Sequence, residues 1–303
     1  MSDLITKLQG IVVPMVTPLT SKGDIDKDSL RSLTRYLVDA GVNGIFVMGT
    51  TGEFSYIDAE DQWSVVETVV EEVRHQTYVV AGVTGNSIEE TVRNITILGA
   101  LSKRPDALVV APLFYHSNRK LPQHMARLCK VSSLPLLLYN NIDIVRRRWK
   151  RKDIIPEIVD QIAGMDKVIG IKDSSGNLNY LKQILSHQSI TFQIFQGDES
   201  QILSAFQLGA VGAVPSIANI IPDVCVHLYN AFRADDIETV RKHQNTIVET
   251  HKLYLKYGNI PRILKEYLAR KGVIKSGNSH PPFKGDIVSI LDQVVSKTRG
   301  VGI

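Results

Sequence analysis

The sequence predicts a closed (β/α)8 TIM barrel with a C-terminal helical appendage. Short apolar runs rich in β-branched residues recur at intervals of about 20 to 35 residues, and each is followed by a stretch of helical period. Most of these runs are continuously hydrophobic, as expected of strands buried on both faces of a parallel sheet. An open doubly wound sheet would need a glycine-rich turn after its first strand, and residues 14–18 do not form one.

Eight strands are predicted, and seven helices fit between them. The strands lie at residues 11–17, 43–49, 77–84, 106–112, 134–140, 168–173, 191–197 and 211–216. The helices lie at residues 26–40, 58–75, 87–102, 122–132, 153–163, 178–187 and 200–208. Asp58 and Ser87 are expected N-caps, because their side-chain oxygens can accept hydrogen bonds from the first amides of a helix.

After residue 216 the chain is predicted to be wholly helical, at residues 222–234, 237–257, 261–271 and 286–297. The first of these helices completes the ring around the barrel, and the other three form the appendage. We therefore expect a barrel domain with the active site at 1–233 and a helical extension at 234–303. No linker rich in glycine, serine or proline separates them, so the extension is expected to pack on the barrel.

The composition favours a globular protein that acts on small molecules. The 303 residues are 44% hydrophobic and 22% charged, and the net charge of +4 with 7% aromatic residues gives little support for a nucleic-acid surface. Cys129 and Cys225 are too few for a disulfide framework or a zinc site, which fits a reducing compartment. No signal peptide or run of about 18 apolar residues is found. We expect a cytoplasmic protein without a membrane partner.

Lys172 follows a buried-looking apolar run at the C-terminal end of the sixth predicted strand. An amine in such low-polarity surroundings loses its proton more easily and becomes nucleophilic, and it can then form a Schiff base. Most lysines at strand ends are simply solvated, so this residue alone decides nothing. Active sites of (β/α)8 barrels lie at the C-terminal ends of the strands, so the residues that follow the other strands provide the test.

Three other predicted strands end in residues that would lie at the same mouth as Lys172. The second ends in Gly49-Thr50-Thr51-Gly52, which has hydroxyls beside backbone amides and suits a carboxylate, although an ordinary helix-capping turn has the same composition. The fifth ends in Tyr139, which can transfer a proton or can simply pack. The seventh ends in Gly197-Asp198. An amine, a phenol and an anion-binding turn are thus expected at one mouth.

These residues resemble the dihydrodipicolinate synthase and N-acetylneuraminate lyase family of pyruvate-dependent class I aldolases. The resemblance runs from Gly10 to about Phe283. Its motifs are short, but their order and spacing are highly specific: Gly-Thr-Thr-Gly-Glu at 49–53, Leu-Tyr-Asn at 138–140, Gly-Ile-Lys-Asp-Ser-Ser-Gly at 170–176, Gly-Asp-Glu at 197–199 and Leu-Gly-Ala-Val-Gly-Ala at 208–213.

The resemblance implies a role for each matching residue. Lys172 would form the Schiff base with pyruvate or another 2-oxo acid, and Tyr139 would relay protons. Thr50 and Thr51 would hold the substrate carboxylate and link to the tyrosine, with Gly49, Gly52, Gly197 and Asp198 lining the binding site. The backbone carbonyl of Val214 would face it. A protonated imine is itself an electron sink, so no metal or other cofactor is expected. The resemblance also implies a homo-oligomer, a dimer or a tetramer.

Two departures from the family pattern affect the second substrate. In the synthases the tyrosine motif continues Tyr-Asn-x-Pro-x-Arg-Thr, and the arginine meets the carboxylate of that substrate. Here Asn141 and Ile142 follow, without the proline or the arginine. The synthases also place a tyrosine two residues after the proline that ends strand four. This chain has Phe114 at that position, and Tyr115 can take the place of the tyrosine only if the loop shifts by one residue. The phenylalanine after Gly-Glu, Phe54, instead resembles the residue at this position in the family branch that acts on 2-keto-3-deoxy sugar acids.

A strongly basic segment follows the fifth strand. Residues 146–152, Arg-Arg-Arg-Trp-Lys-Arg-Lys, contain six cations in seven positions. Such a run is most often a solvated loop or a subunit contact. The alternative is that Arg146 and its neighbours attract an acidic substrate, phosphorylated or not.

The sequence leaves several enzymatic functions and one non-catalytic function open. The first is a lyase of the 2-keto-3-deoxygluconate aldolase type, which joins or splits pyruvate and an aldehyde. The second is dihydrodipicolinate synthase, which condenses pyruvate with aspartate semialdehyde, and a dehydratase or a hydroxy-oxoglutarate aldolase stays open beside it. The third is a non-catalytic homologue, which the altered segment at 141–152 favours and the presence of both Lys172 and Tyr139 opposes.

Overall fold

A computed structural model describes residues 7–112, 118–141, 153–255, 258, 260–280 and 287–298. Its strands pair in chain order as a closed parallel barrel, which confirms the predicted fold class. The strands are β1 (Gly10–Pro14), β2 (Gly44–Val47), β3 (Tyr78–Gly82), β4 (Ala107–Val110), β5 (Leu136–Asn140), β6 (Val168–Asp173), β7 (Gln193–Gln196) and β8 (Gly212–Ala213).

Helices alternate with the strands and then continue to the C-terminus. They are α1 (Lys27–Asp39), α2 (Ala59–Val73), α3 (Ile88–Ala100), α4 (Leu121–Val131), α5 (Pro156–Ala163), α6 (Leu178–Leu185), α7 (Ile202–Leu208), α8 (Pro222–Arg233), α9 (Ile237–Leu255), α10 (Ile260–Arg270) and α11 (Ile287–Thr298). None of the helices within the described ranges is long and apolar enough to cross a membrane.

The chain divides into two compact units, and each is described by itself. The first comprises Met1–Gln9 and Val80–Val214, and the second comprises Gly10–Val79 and Pro215–Ile303. Strands β4 to β8 with helices α3 to α7 belong to the first unit. Strands β1 and β2, helices α1 and α2 and all helices from α8 onward belong to the second. The boundary between a barrel at 1–233 and an extension at 234–303 stays a prediction.

In the first unit, β5 and β6 are buried on both faces, as the apolar residues that begin each of them predict. Every residue of β5 and of β6 is buried, although β6 ends in a lysine and an aspartate. Gly170 lets β6 approach β7, because a Cβ atom there would lie 3.1 Å from the backbone carbonyl carbon of Gln193. The close approach of β6, the strand that carries Lys172, to β7 therefore depends on a glycine at position 170.

In the second unit, α1 shows how the local sequence forms its helices. Asp26 caps α1 by accepting a 3.1 Å hydrogen bond from the backbone amide of Ser29. The helix then buries Leu30, Leu33 and Leu37, which share one face because they are spaced three and four residues apart. Burial of this apolar face stabilises the helix.

The structure refines several predicted boundaries. Ser87 caps α3 as predicted, through the amide of Glu90 at 3.1 Å. Asp58 stands at the N-cap of α2, but its side chain makes no capping hydrogen bond. The side chain of Gln62 in α2 instead donates to the carbonyls of Phe54 and Ile57 and fixes the chain that enters the helix. Helix α5 begins at Pro156, not at residue 153, since proline is favoured at a first helical position.

Candidate active site

Lys172 and Tyr139 lie side by side at the C-terminal ends of two neighbouring strands. They are partners in the register of β5 and β6, so their side chains leave the sheet on the same face. The Nζ atom of Lys172 lies 4.2 Å from the centroid of the Tyr139 ring. Both residues are buried, with 8% of Lys172 and 5% of Tyr139 exposed. A ring face at this distance stabilises a cation on the lysine nitrogen.

The hydroxyl of Tyr139 is oriented by a residue that the sequence analysis did not assign to the site. The side-chain amide of Asn141 donates a 2.6 Å hydrogen bond to this hydroxyl. A donor to the phenol oxygen stabilises its deprotonated form, which is the form that accepts a proton. Nothing in the sequence indicated this contact, because it depends on the orientations of the two side chains.

Gly197, at the end of β7, gives the side chain of Lys172 its space. A Cβ atom at this position would lie 3.0 Å from Cε of Lys172 and 2.9 Å from the carbonyl oxygen of Asp173, and it would overlap the hydroxyl of Ser174. The amide of Gly197 donates a 2.6 Å hydrogen bond to the same Asp173 carbonyl. The predicted site glycine is therefore required by packing around the lysine.

Two further predicted residues have structural partners in the first unit. The carboxylate of Asp198 accepts hydrogen bonds from the amide and the hydroxyl of Ser200, at 2.9 and 2.7 Å, and so caps the short turn Glu199–Gln201. The amide of Val214 donates a 2.7 Å hydrogen bond to the carbonyl of Gln196, which holds Val214 at the end of the sheet. Both residues thus stabilise the chain beside β7.

A buried carboxyl group lies behind the lysine, on the opposite face of β6. Asp173 is fully buried and accepts hydrogen bonds from Asn140 at 2.8 Å and from the amide and hydroxyl of Ser175 at 3.1 and 2.9 Å. Asn140 also donates to Asp153 at 3.0 Å. Burial raises the pKa of Asp173 to about 6, against the lowering effect of the bonds from Asn140 and Ser175.

The Gly49–Glu53 turn follows β2 in the second unit. The amides of Gly52 and Glu53 donate to the carbonyls of Gly49 and Thr50, both at 3.1 Å. Among the described residues, no hydrogen-bond partner is found for the hydroxyls or backbone amides of Thr50 and Thr51. Adjacent unsatisfied donors of this kind favour an anion. Gly52 is needed for packing, because a Cβ atom there would lie 3.1 Å from the carbonyl oxygen of Met15.

The structure does not report on every predicted residue. Tyr115 and Arg146, with the basic segment, lie outside the described residues. The threonine turn and Lys172 belong to different units, so their common site stays a prediction. In the part of the chain that the structure describes, no group of three or more His, Cys, Asp or Glu side chains is placed to hold a metal.

A family model and several relatives match this chain over nearly its whole length. The model of the dihydrodipicolinate synthetase family matches residues 7–295. A 4-hydroxy-tetrahydrodipicolinate synthase from Pseudomonas savastanoi pv. phaseolicola is 31% identical over 84% of this chain and 86% of that protein. An uncharacterized DapA-like lyase from Halobacterium salinarum is 31% identical over 92% of this chain and 89% of that protein.

Solved structures share the fold. YagE, a prophage protein from E. coli K12 in complex with pyruvate, has a TM-score of 0.88 at 24% identity, over 96% of this chain and 99% of that chain. A chloride-inhibited dihydrodipicolinate synthase from Acinetobacter baumannii complexed with pyruvate has a TM-score of 0.86 at 25% identity, over 96% of this chain and 98% of that chain. These similarities support the barrel independently of the strand assignment.

Proposed function

The chain belongs to the dihydrodipicolinate synthetase family, and we propose that Lys172 is the residue through which it forms a Schiff base with a 2-oxo acid. Membership makes the chain a class I, pyruvate-dependent aldolase or lyase, whose chemistry needs the lysine imine and no metal or cofactor. The single observation that carries the assignment is the buried Lys172 amine, 4.2 Å from the centre of the Tyr139 ring.

The imine is the electron sink of the proposed reaction. The amine of Lys172 attacks the C2 carbonyl of the 2-oxo acid, and water leaves to give a protonated imine. When the bond between C3 and C4 breaks, its electron pair moves toward the imine and forms an enamine, while the aldehyde leaves. Protonation at C3 and hydrolysis then release pyruvate. The Tyr139 ring stabilises the imine cation because the charge stays on the same nitrogen.

Tyr139 is the proposed acid and base. Cleavage requires that the C4 hydroxyl of the substrate lose its proton, and a phenol beside the imine can take it. The hydrogen bond from Asn141 to the Tyr139 oxygen supports this role, because it stabilises the phenolate that accepts the proton. Tyr139 is buried, so little bulk water competes with it for this proton.

Thr50 and Thr51 are proposed to bind the carboxylate of the 2-oxo acid. Their hydroxyls and amides have no hydrogen-bond partner among the described residues, which is the arrangement an anion requires. Gly49, Gly52, Gly197, Asp198 and the Val214 carbonyl are proposed to shape the binding site, as the family resemblance implies.

The proposed substrate is a 2-keto-3-deoxy sugar acid. Two features support it: Phe54 follows the glutamate of the threonine turn, and Asn141 follows β5 without the proline and arginine that the synthases use for their second substrate. Condensation with aspartate semialdehyde is the second candidate, and it is favoured by a relative at 31% identity that is named 4-hydroxy-tetrahydrodipicolinate synthase. Arg146 is proposed to attract the acidic substrate.

Substrate profiling separates the two candidates. Pyruvate release from a panel of 2-keto-3-deoxy acids, phosphorylated and unphosphorylated, is measured beside condensation of pyruvate with aspartate semialdehyde, each with a Lys172→Ala control. We expect the cleavage reaction to have the higher kcat/KM and to be lost in the control. A higher kcat/KM for aspartate semialdehyde would contradict the proposed substrate, while activity that survives in the control would contradict the proposed chemistry.

The protein is further proposed to be cytoplasmic and to assemble as a dimer or a tetramer. Cys129 and Cys225 are both free thiols, which supports a reducing compartment. Analytical ultracentrifugation is expected to give a mass of two or four times the 33.7 kDa chain. A monomer would contradict the assembly, and recovery in a secreted fraction would contradict the location.

A further inference from the structure

The Gly49–Glu53 turn is held by residues that are distant in the sequence. Glu53 has φ of 59°, a left-handed conformation that is uncommon for residues other than glycine. Both oxygens of its carboxylate are occupied. Oε2 accepts from the Lys265 ammonium, which α10 supplies from 212 residues away, and Oε1 accepts a 2.8 Å hydrogen bond from the backbone amide of His280.

The ion pair between Glu53 and Lys265 is completely removed from water. The side chains are 1% and 0% exposed, respectively. Burial lowers the pKa of Lys265, and the neighbouring Glu53 carboxylate opposes that change. A buried ion pair contributes little to stability, because the free energy lost on removing both charges from water is about as large as the free energy gained from their attraction. Stability alone therefore does not explain the pair.

The turn is fixed on its other side as well. The hydroxyl of Thr17 donates a 2.7 Å hydrogen bond to the carbonyl of Gly52, the residue that precedes Glu53. The residue before the turn, Met48, also has positive φ, at 55°. A backbone with uncommon conformations at both ends persists only when its surroundings hold it. Among the described partners that hold the turn, Lys265 is the one with a charged side chain. It contacts Glu53, which lies two residues after Thr51.

We propose that Lys265 is a positioning residue for substrate binding: its buried contact with Glu53 fixes the backbone that directs the Thr50 and Thr51 donors at the carboxylate of the 2-oxo acid. This inference rests on the proposed function of the threonine turn. Helix α10, from the C-terminal part of the chain, is then a component of substrate recognition.

The test compares a ketone that carries a carboxylate with one that does not. Borohydride trapping on Lys172, quantified by peptide mass spectrometry, is measured with pyruvate and with acetone. Loss of well-directed hydrogen bonds to a charged group typically weakens binding by about 10-fold or more. In Lys265→Met, we expect the preference for pyruvate over acetone to fall by that factor, while trapping of acetone stays at the wild-type level. A purely structural role would lower both reactions together.

Two further variants make the result decisive. Lys275→Met is the matched control, because Lys275 pairs with the exposed Asp28 at 2.7 Å, and it should keep the wild-type preference. If Lys265→Met does not fold, the double variant Glu53→Gln/Lys265→Met leaves no unpaired buried charge, and it should show the same reduced preference. An unchanged preference in the folded Lys265 variant or in the double variant overturns the inference. Absence of trapping on Lys172 in the wild type would instead overturn the proposed function.

Discussion

Replacement of Asp173 by asparagine should remove a pH dependence of stability that burial creates at the residue next to Lys172. Burial raises the pKa of Asp173 from 3.8 to about 6. The difference of about 2 pH units, at about 1.4 kcal/mol for each unit, corresponds to about 3 kcal/mol. An asparagine can keep the existing contacts, since its oxygen can accept from Asn140 and the Ser175 amide while its nitrogen donates to the Ser175 hydroxyl.

The direction of this pH dependence follows from whether the folded or the unfolded state binds more protons. Because the pKa is higher in the folded protein than in the unfolded chain, the folded state holds more protons between about pH 4 and pH 6. Acidification through this window therefore stabilises the wild type, and the ionised Asp173 destabilises it above about pH 6 by up to about 3 kcal/mol. The Asp173→Asn variant lacks this contribution and should be more stable than the wild type at pH 7.

Urea unfolding at pH values from 4 to 7 measures the effect. The difference in unfolding free energy between variant and wild type should grow as the pH rises through the window and level off above it. Asp166→Asn is the matched control, because Asp166 is exposed just before β6, and it should follow the wild type. Parallel pH profiles for Asp173→Asn and the wild type would refute the argument that burial controls this carboxyl group.

Three other substitutions test the site. Tyr139→Phe should keep the fold and imine formation but lower turnover by about 10²–10⁴-fold, and near-normal turnover would make the tyrosine a packing residue. Gly197→Ala should slow borohydride trapping on Lys172, because the added Cβ atom would lie 3.0 Å from Cε of the lysine. The control Gly164→Ala adds a Cβ atom with only a 3.8 Å contact and should not slow trapping. Equal trapping rates in the two variants would contradict the packing argument. Replacement of the arginines at 146–148 by glutamine should raise KM at low salt, less so as salt screens charges over about 10 Å, and unchanged KM values would assign the segment to surface or subunit contacts.

The sequence predicted the features that follow from local pattern. Strand β6 begins and ends at the predicted residues, Val168–Asp173, because the apolar residues at 168–171 mark its first part. Tyr139 and Lys172 were expected at the same end of the sheet because both end predicted strands, and the structure shows that they are also register partners. By contrast, β8 was predicted at 211–216 but contains only Gly212–Ala213, because the chain turns at Ser216–Asn219 and Asn219 there binds the backbone of Pro14 and Val16.

Contacts between distant residues could not be predicted in this way. Glu53 and Lys265 are 212 residues apart, and each looks like an ordinary surface charge in its own segment. Only the fold shows that both are buried and paired. The hydrogen bond from Asn141 to Tyr139 depends on side-chain orientations that residue types alone do not determine. The raised pKa of Asp173 likewise depends on burial, which comes from packing on both faces of β6.

The central claim, that Lys172 is the Schiff-base residue, is tested most directly by borohydride reduction in the presence of pyruvate followed by peptide mapping. We expect one irreversible adduct, on Lys172, because this is the buried amine beside the Tyr139 ring. Lys167, whose Nζ atom donates a 2.6 Å hydrogen bond to the Ser132 carbonyl, should stay unmodified and serves as the internal control. An adduct on another lysine, or no pyruvate-dependent adduct, would contradict the claim.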